Sequence, residues 1–258
     1  MGLAAIMYGL GRLPGVAGVA LLAAGLATLA AFVAWALHAP QPVLDITLFR
    51  ANRVFALSNL AALVHYSATF AVGFLLSLRL QYVDGLTSQA AGMLLAVQPL
   101  VQTGISPFAG RLSDRVDSRV VASAGMGLTA VALALLGCLG AATSQAFVLA
   151  CLTLLGAGLG LFASPNTNAV MASVERHFYG VASAILATMR LVGQMLSIGL
   201  AALVLALFVG HEPMVPARHA PFLAALRAAF FGFSVLCAAG TLASLARGQT
   251  ATAGGRQP

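Results

Sequence analysis

Polar side chains recur at helical spacing inside four of this chain's apolar stretches. Asn59 and Tyr66 are seven residues apart, with His65 beside them. Gln98 and Gln102 are four apart around Pro99. Ser164, Asn166, Thr167 and Asn168 surround Pro165, and Ser183, Arg190, Gln194 and Ser197 follow one another at steps of seven, four and three. Such steps return a side chain to one face of a helix. Polar groups inside apolar helices are costly to bury, so amide, phenol and guanidinium stripes on four helices point to a shared, hydrated cavity that handles a small solute.

Each of these groups has a second reading. Asn59, Gln98 and Asn168 either line the cavity or hydrogen-bond a neighbouring helix. Pro165 either kinks its helix or breaks it and frees backbone groups for a solute. His65 is either a packed, hydrogen-bonded side chain or a proton carrier. Arg190 lies about ten residues into its stretch, ~15 Å from the inner end by helical rise, which is too deep for snorkelling and places it on the cavity. Arg227 is nearer an outer end and snorkels.

Catalytic patterns are missing at the level of spacing. His211-Glu212 runs into Pro213 and no second histidine follows four residues after the first, so there is no HExxH zinc site. No G-x-S-x-G elbow occurs. The glycines of "GAGLGLFASP" form a small-residue face for close helix packing. Cys138, Cys151 and Cys237 lie in apolar runs without CxxC spacing, which gives neither a disulfide framework nor a metal site. The sequence calls for no cofactor, no metal and no enzymatic activity.

The elements that must carry these residues follow from composition. Of 258 residues, 60% are hydrophobic and 7% charged, and mean hydropathy is +0.98. A water-soluble domain carries about a quarter charged residues, so the expected fold is an all-α, polytopic membrane protein. Spanning the hydrocarbon takes about 20 apolar residues as helix, and about seven segments qualify: 15–37, 54–80, 89–109, 120–141, 146–172, 181–210 and 220–246. Their continuous hydrophobicity differs from the alternation of barrel strands. "MGLAAIMYGLGRLPG" reads as the end of a further apolar helix, and residues 248–258 as a disordered tail. No secretory signal is convincing, since the run from Val16 to Leu37 is long for one.

Charge placement orients the spans. All 13 basic residues are arginine. They sit at the ends of apolar runs rather than on one soluble face, which argues for membrane topology and against nucleic acid despite a pI near 10.4. With the connection 110–119 on the cytoplasmic side, Arg50, Arg53, Arg111, Arg115, Arg119, Arg176, Arg247 and Arg256 lie inside, and Arg12, Arg79 and Arg218 outside. The C-terminus is then cytoplasmic. All six acidic residues, Asp45, Asp84, Asp114, Asp117, Glu175 and Glu212, fall in connections.

That same connection, "GRLSDRVDSR", resembles the loop signature of the major facilitator superfamily, roughly G-x-L-x-D-R-x-G-R-[KR]. Gly110, Leu112, Asp114, Arg115 and Arg119 match in order, whereas Asp117 stands where the pattern has a second glycine and Ser118 where it has a basic residue. "VLDITLFRANRVFALSNLAAL" and "SPNTNAVMASVERHFYGVASAILATMRLVGQ" are similar to segments of the fourteen-helix drug/proton antiporters of the EmrB/QacA type. The resemblance covers residues ~1–246.

The resemblance implies an organisation. Residues 1–43 would be a linker region with one transmembrane helix (15–37), and 44–247 a six-helix bundle like the family's C-terminal half. The N-terminal six helices, with their intramembrane acid and arginine motif, have no counterpart. The implied function is proton-coupled export of hydrophobic drug-like compounds across a bacterial cytoplasmic (inner) membrane, inactive in this chain alone. Asn59, His65, Tyr66, Gln98, Gln102, Asn166, Asn168, Arg190 and Gln194 are the cavity candidates. Gly110, Leu112, Asp114, Arg115 and Arg119 form a conformational loop, in which Asp114 is expected to pair with nearby arginines or cap a helix of the opposite bundle. The implied partners are the lipid bilayer, the missing bundle or a second copy, and, once assembled, protons and hydrophobic small molecules. Two other readings remain, a half-transporter active only after assembly and a non-transporting membrane protein.

Overall fold

A computed structural model describes residues 52–210 and 219–246, together with scattered positions between residues 2 and 49. The described part is helical throughout: α1 Arg53–Thr69, α2 Val72–Tyr82, α3 Ser88–Leu95, α4 Val97–Ser113, α5 Ser118–Gly137, α6 Gln145–Ala172, α7 Tyr179–Phe208 and α8 His219–Leu245, with a 3₁₀ turn at Arg176–Phe178 before α7. Most of the expected first span, 15–37, and the whole tail, 248–258, lie outside the described residues.

Five segments are long and apolar enough to cross a membrane: Arg53–Tyr82, Ser118–Gly137, Gln145–Ala172, Arg176–Phe208 and His219–Leu245. The expected span 89–109 differs from them in being two helices, α3 and α4, which meet at Ala96. Pro99 explains the interruption, because it has no N–H to return to the carbonyl four residues earlier. The span 54–80 is also divided, at Phe70–Ala71 between α1 and α2. There the Ala71 N–H is satisfied across the bundle by Ser197 Oγ on α7 at 2.9 Å. Pro165, by contrast, does not break α6, which runs unbroken from Gln145 to Ala172.

Helix starts are set by local chemistry. Asn52, Thr87, Asp117 and Ser144 each precede a helix, and their side chains accept from the first-turn amides of Phe55, Ala90, Arg119 and Phe147. Asn52 also donates through its amide to the Ser173 carbonyl at the end of α6. At the far end of α7, Gly210 takes φ +77° and its N–H returns to the Ala206 carbonyl. That is a helix stop in the left-handed conformation glycine accepts most cheaply.

Packing follows the small residues. α6 lies against α4 on one side and α5 on the other, α8 packs on α5 and α1, and α7 packs mainly on α1. A Cβ on Gly125 of α5 would meet the Phe162 N and Gly158 O of α6 at 2.7 and 2.8 Å. One on Gly156 would meet the Gln98 carbonyl at 2.5 Å. The glycine run of α6 is therefore a two-sided contact, with Gly156 and Gly160 toward α4 and Gly158 toward α5. Small polar groups join α5 to α8. Ser123 and Ser244 hydroxyls lie 2.7 Å apart, Ser234 donates to the Ala130 carbonyl, and Cys237 Sγ donates to the Met126 carbonyl at 3.3 Å.

Candidate substrate cavity

One open cavity of ≈ 350 Å³ collects polar side chains from three directions. Its wall is Tyr66, Thr69, Phe70 and Gly73 from α1, α2 and their junction, Gln98 and Gln102 from α4, Leu159 from α6, and Gln194 from α7. Tyr66, Thr69, Phe70 and Gly73 follow steps of three, four and seven, so the kink between α1 and α2 keeps them on one face. Beside it lies a second depression of ≈ 450 Å³ lined by Gln102, Thr103, Ser106, Pro107 and Ser164.

Arg190 borders this cavity one helical turn from Gln194. Its guanidinium carbon lies 5.7 Å from the centre of the Tyr66 ring, a cation–π distance. Nη2 donates to Thr167 Oγ1 at 2.6 Å. Nε is buried without a hydrogen-bond partner among the described residues, and no carboxylate there comes within ion-pair distance. Gln98 Nε2 donates to Gln102 Oε1 at 2.9 Å, so these two amides share a bond within their own helix.

Four of the nine cavity candidates thus converge on the wall, Tyr66, Gln98, Gln102 and Gln194, and Arg190 joins them through Tyr66. Four others do not. His65 is fully buried, because its ring points about 100° round the helix from Tyr66. It stacks on Phe162 of α6 with centroids 4.0 Å apart, and Nδ1 lies 3.7 Å from Cys237 Sγ of α8. Asn59 is also fully buried, two turns from Tyr66 along α1. It donates not to a neighbouring helix but to the Phe55 carbonyl of its own. Asn166 is buried at 1% exposure away from the cavity wall. Asn168 is exposed at the end of α6 and donates to Ser113 Oγ at 3.1 Å, which ties it to the arginine-rich connection. The α7 stripe divides likewise, since Ser183 bonds the Gly180 carbonyl and Ser197 serves the Ala71 amide.

At that connection, Gly110 lets α4 approach α6, because a Cβ there would come 3.0 Å from Ser164 Oγ. Leu112 and Arg115 are exposed. Asp114 ends α4 as its C-cap and makes no ion pair among the described residues. Asp117, at the position where the loop pattern has glycine, takes the local role. It caps α5 through the Arg119 amide at 2.9 Å and faces the Arg119 Nε at 3.9 Å. Arg119 Nη1 reaches the Leu245 carbonyl at the end of α8.

Residues that spacing did not single out matter as well. Arg79, read as an outer-loop charge, is fully buried. It pairs with Asp84 at 2.8 Å and donates to the carbonyls of Gly140 and Thr143, both at 3.2 Å. Arg227 is exposed and donates from Nε to the Leu139 carbonyl, just past the end of α5, at 2.9 Å. The only hint of the first tie in the sequence is the arginine five residues before an aspartate in "RLQYVD". Thr69 and Gly73 could have been found from Tyr66 by helical steps.

The family model described as Major Facilitator Superfamily matches residues 58–257. The chain belongs to the major facilitator superfamily. Its relatives within or near that superfamily carry differing names. It is 33% identical over 150 residues to the riboflavin transporter RibZ of Clostridioides difficile, covering 58% of this chain and 33% of that protein. It is 32% identical over 204 residues to the uncharacterized transporter YebQ of Escherichia coli, covering 79% of this chain and 44% of that one. It is 31% identical over 163 residues to the multidrug resistance protein Stp of Mycobacterium tuberculosis, covering 63% and 30%. This major facilitator chain spans 30–44% of the length of these curated relatives. It is an integral membrane protein of a transporter family.

Proposed function

We propose that the chain forms the C-terminal helix bundle of a fourteen-helix, EmrB/QacA-type multidrug exporter in a bacterial cytoplasmic membrane. That exporter would move hydrophobic drug-like compounds in exchange for protons. The observation that carries this is the one-sided cavity. Tyr66, Gln98, Gln102 and Gln194 converge on a space this bundle does not close, as a half-site facing a second bundle would. A multidrug resistance protein among the relatives is consistent with the substrate class. Every carboxylate among the described residues lies outside the spanning helices. In this reading the proton-carrying acid therefore belongs to the other bundle, and Asp114 is the free half of an inter-bundle contact.

Orientation rests on charge. Arg53, Arg111, Arg115, Arg119 and Arg176 gather at one end of the bundle, whereas Arg79 and Arg227 at the other are bound to carbonyls. The arginine-rich end, and the C-terminus with it, would face the cytoplasm. The test is drug accumulation in cells expressing this chain alone and cells co-expressing a six-helix N-terminal bundle. We expect energy-dependent efflux only in the second, lost on Arg190→Ala. Efflux by the chain alone would instead favour assembly of two copies, and absence of efflux in both would favour a non-transporting protein.

A further inference from the structure

The cavity has a charge and hydrogen-bonding character of its own, which narrows the solute class if the cavity is the solute site proposed above. Among the described residues, the charge placed beside it is positive. Arg190 lies against Tyr66 with Nε buried and unbonded among the described residues, and no acid within ion-pair reach. Its amides are only partly used. Gln98 donates to Gln102, while the half-buried Gln194 makes no side-chain hydrogen bond among the described residues. Gln98 Oε1, the Gln102 NH₂ and both ends of the Gln194 amide are left unused by that bond, on residues that line the cavity. Thr69 is satisfied by its own helix through the His65 carbonyl. Tyr66 and Phe70 supply the aromatic surface.

We infer that this cavity binds neutral or anionic planar ring compounds whose edge carries both hydrogen-bond donors and acceptors, and that it discriminates against permanent cations. On the wall this bundle supplies, a cation loses hydration, meets no carboxylate among the described residues and stands near a guanidinium, and all three effects oppose binding to this chain. A ring edge of the amide or imide kind matches free donors and acceptors on opposite walls, and a buried amide left unmatched by a ligand lacking that edge costs affinity. The ring faces lie against Tyr66 and Phe70. The volume suits one drug-sized ring system, since ligand pockets begin at about 300 Å³.

The test is equilibrium binding to the purified 258-residue chain in lipid nanodiscs with three probes. Riboflavin is neutral with an imide edge, flavin mononucleotide keeps that ring and adds a phosphate to its ribityl side chain, and methyl viologen is a dication of two linked rings with no hydrogen-bonding edge. We expect saturable riboflavin binding, flavin mononucleotide binding at least as tight, and no competition by methyl viologen. Gln194→Leu should weaken riboflavin about tenfold, the effect of leaving a polar edge unpaired. Arg190→Gln should remove the advantage of the phosphate. Gln194→Glu keeps the shape of the wall and adds the missing carboxylate, so it should admit methyl viologen. Melting curves matching the parent protein show that each variant is folded. Methyl viologen binding to the parent chain as tightly as riboflavin overturns the inference. If Gln194→Leu also weakens that binding, the solute-cavity reading survives it. Binding of none of the three probes overturns the inference too, and leaves transport to the accumulation assay.

Discussion

Arg79 stands five residues before Asp84 at the end of an apolar run, where a lone arginine reads as a boundary charge. Burial changes its meaning. With no exposed surface, it joins the end of α2 to the loop between α5 and α6 through two carbonyls and one carboxylate. Burial pushes the Asp84 carboxyl above its ordinary value, while the Arg79 guanidinium pulls it down by less. Arg79→Met leaves those groups unpaired and should cost about 3–5 kcal/mol, seen as a large drop in the melting temperature of the detergent-solubilised chain. The sign of the Asp84 shift also fixes a pH effect. A carboxyl raised on folding binds its proton more tightly in the folded state, so its contribution to stability declines as pH rises through and just above the usual carboxylate range. Asp84→Asn should flatten that decline in melting curves taken across the range.

At the scale of the elements, the pairs α5–α6 and α4–α6 depend on backbone approach rather than side-chain bulk. Gly158 is the tightest point, because a Cβ there would run into Thr129 and the backbone of α5, including the Gly125 carbonyl at 2.9 Å. Neither neighbour is the flexible end of a long side chain, so the helices themselves must separate. Gly158→Val should destabilise the bundle by at least the 1–3 kcal/mol typical of overpacking, measured by reversible unfolding in mixed micelles. Gly104 and Gly127 are controls, since a Cβ at either meets nothing within 4 Å. Gly127→Ala should be neutral or stabilising by up to about 1 kcal/mol, the helix preference for alanine.

Across the whole molecule, α7 is the outlier. Only 22% of the most apolar window of Arg176–Phe208 is buried, against 44–61% in the other four spans. Gly180, Ser183, Ala184, Ala187, Thr188 and Leu191 are exposed and recur at steps of three and four, which makes them one face. Small residues allow close helix approach, and the face adjoins the open cavity through Gln194, so a second bundle can cover both together. With Cys138→Ser removing the exposed native thiol, Ala187→Cys should crosslink in membranes to a co-expressed N-terminal bundle, read as a shifted band on a denaturing gel. A crosslink at twice the mass of this chain would place a second copy there instead.

The sequence by itself determined the helical membrane class, the boundaries of the five described spans to within about five residues, and the family. Those properties depend on local composition, helical period and the short loop pattern at Gly110–Arg119. It also placed Tyr66, Gln98, Gln102, Arg190 and Gln194 among the cavity candidates, because polar side chains at helical steps in an apolar run are visible without knowing the neighbours. Only the tertiary structure decided which candidates share a space. His65 adjoins Tyr66 in sequence yet faces about 100° away from it, toward Phe162 and Cys237, and Asn59 shares Tyr66's period but is fully buried. Arg79 and Ser197 gained their roles from partners 61 and 126 residues away. Period fixes the direction of a side chain about its own helix axis. What it meets there depends on how the helices are arranged around it, and that is a property of long-range packing.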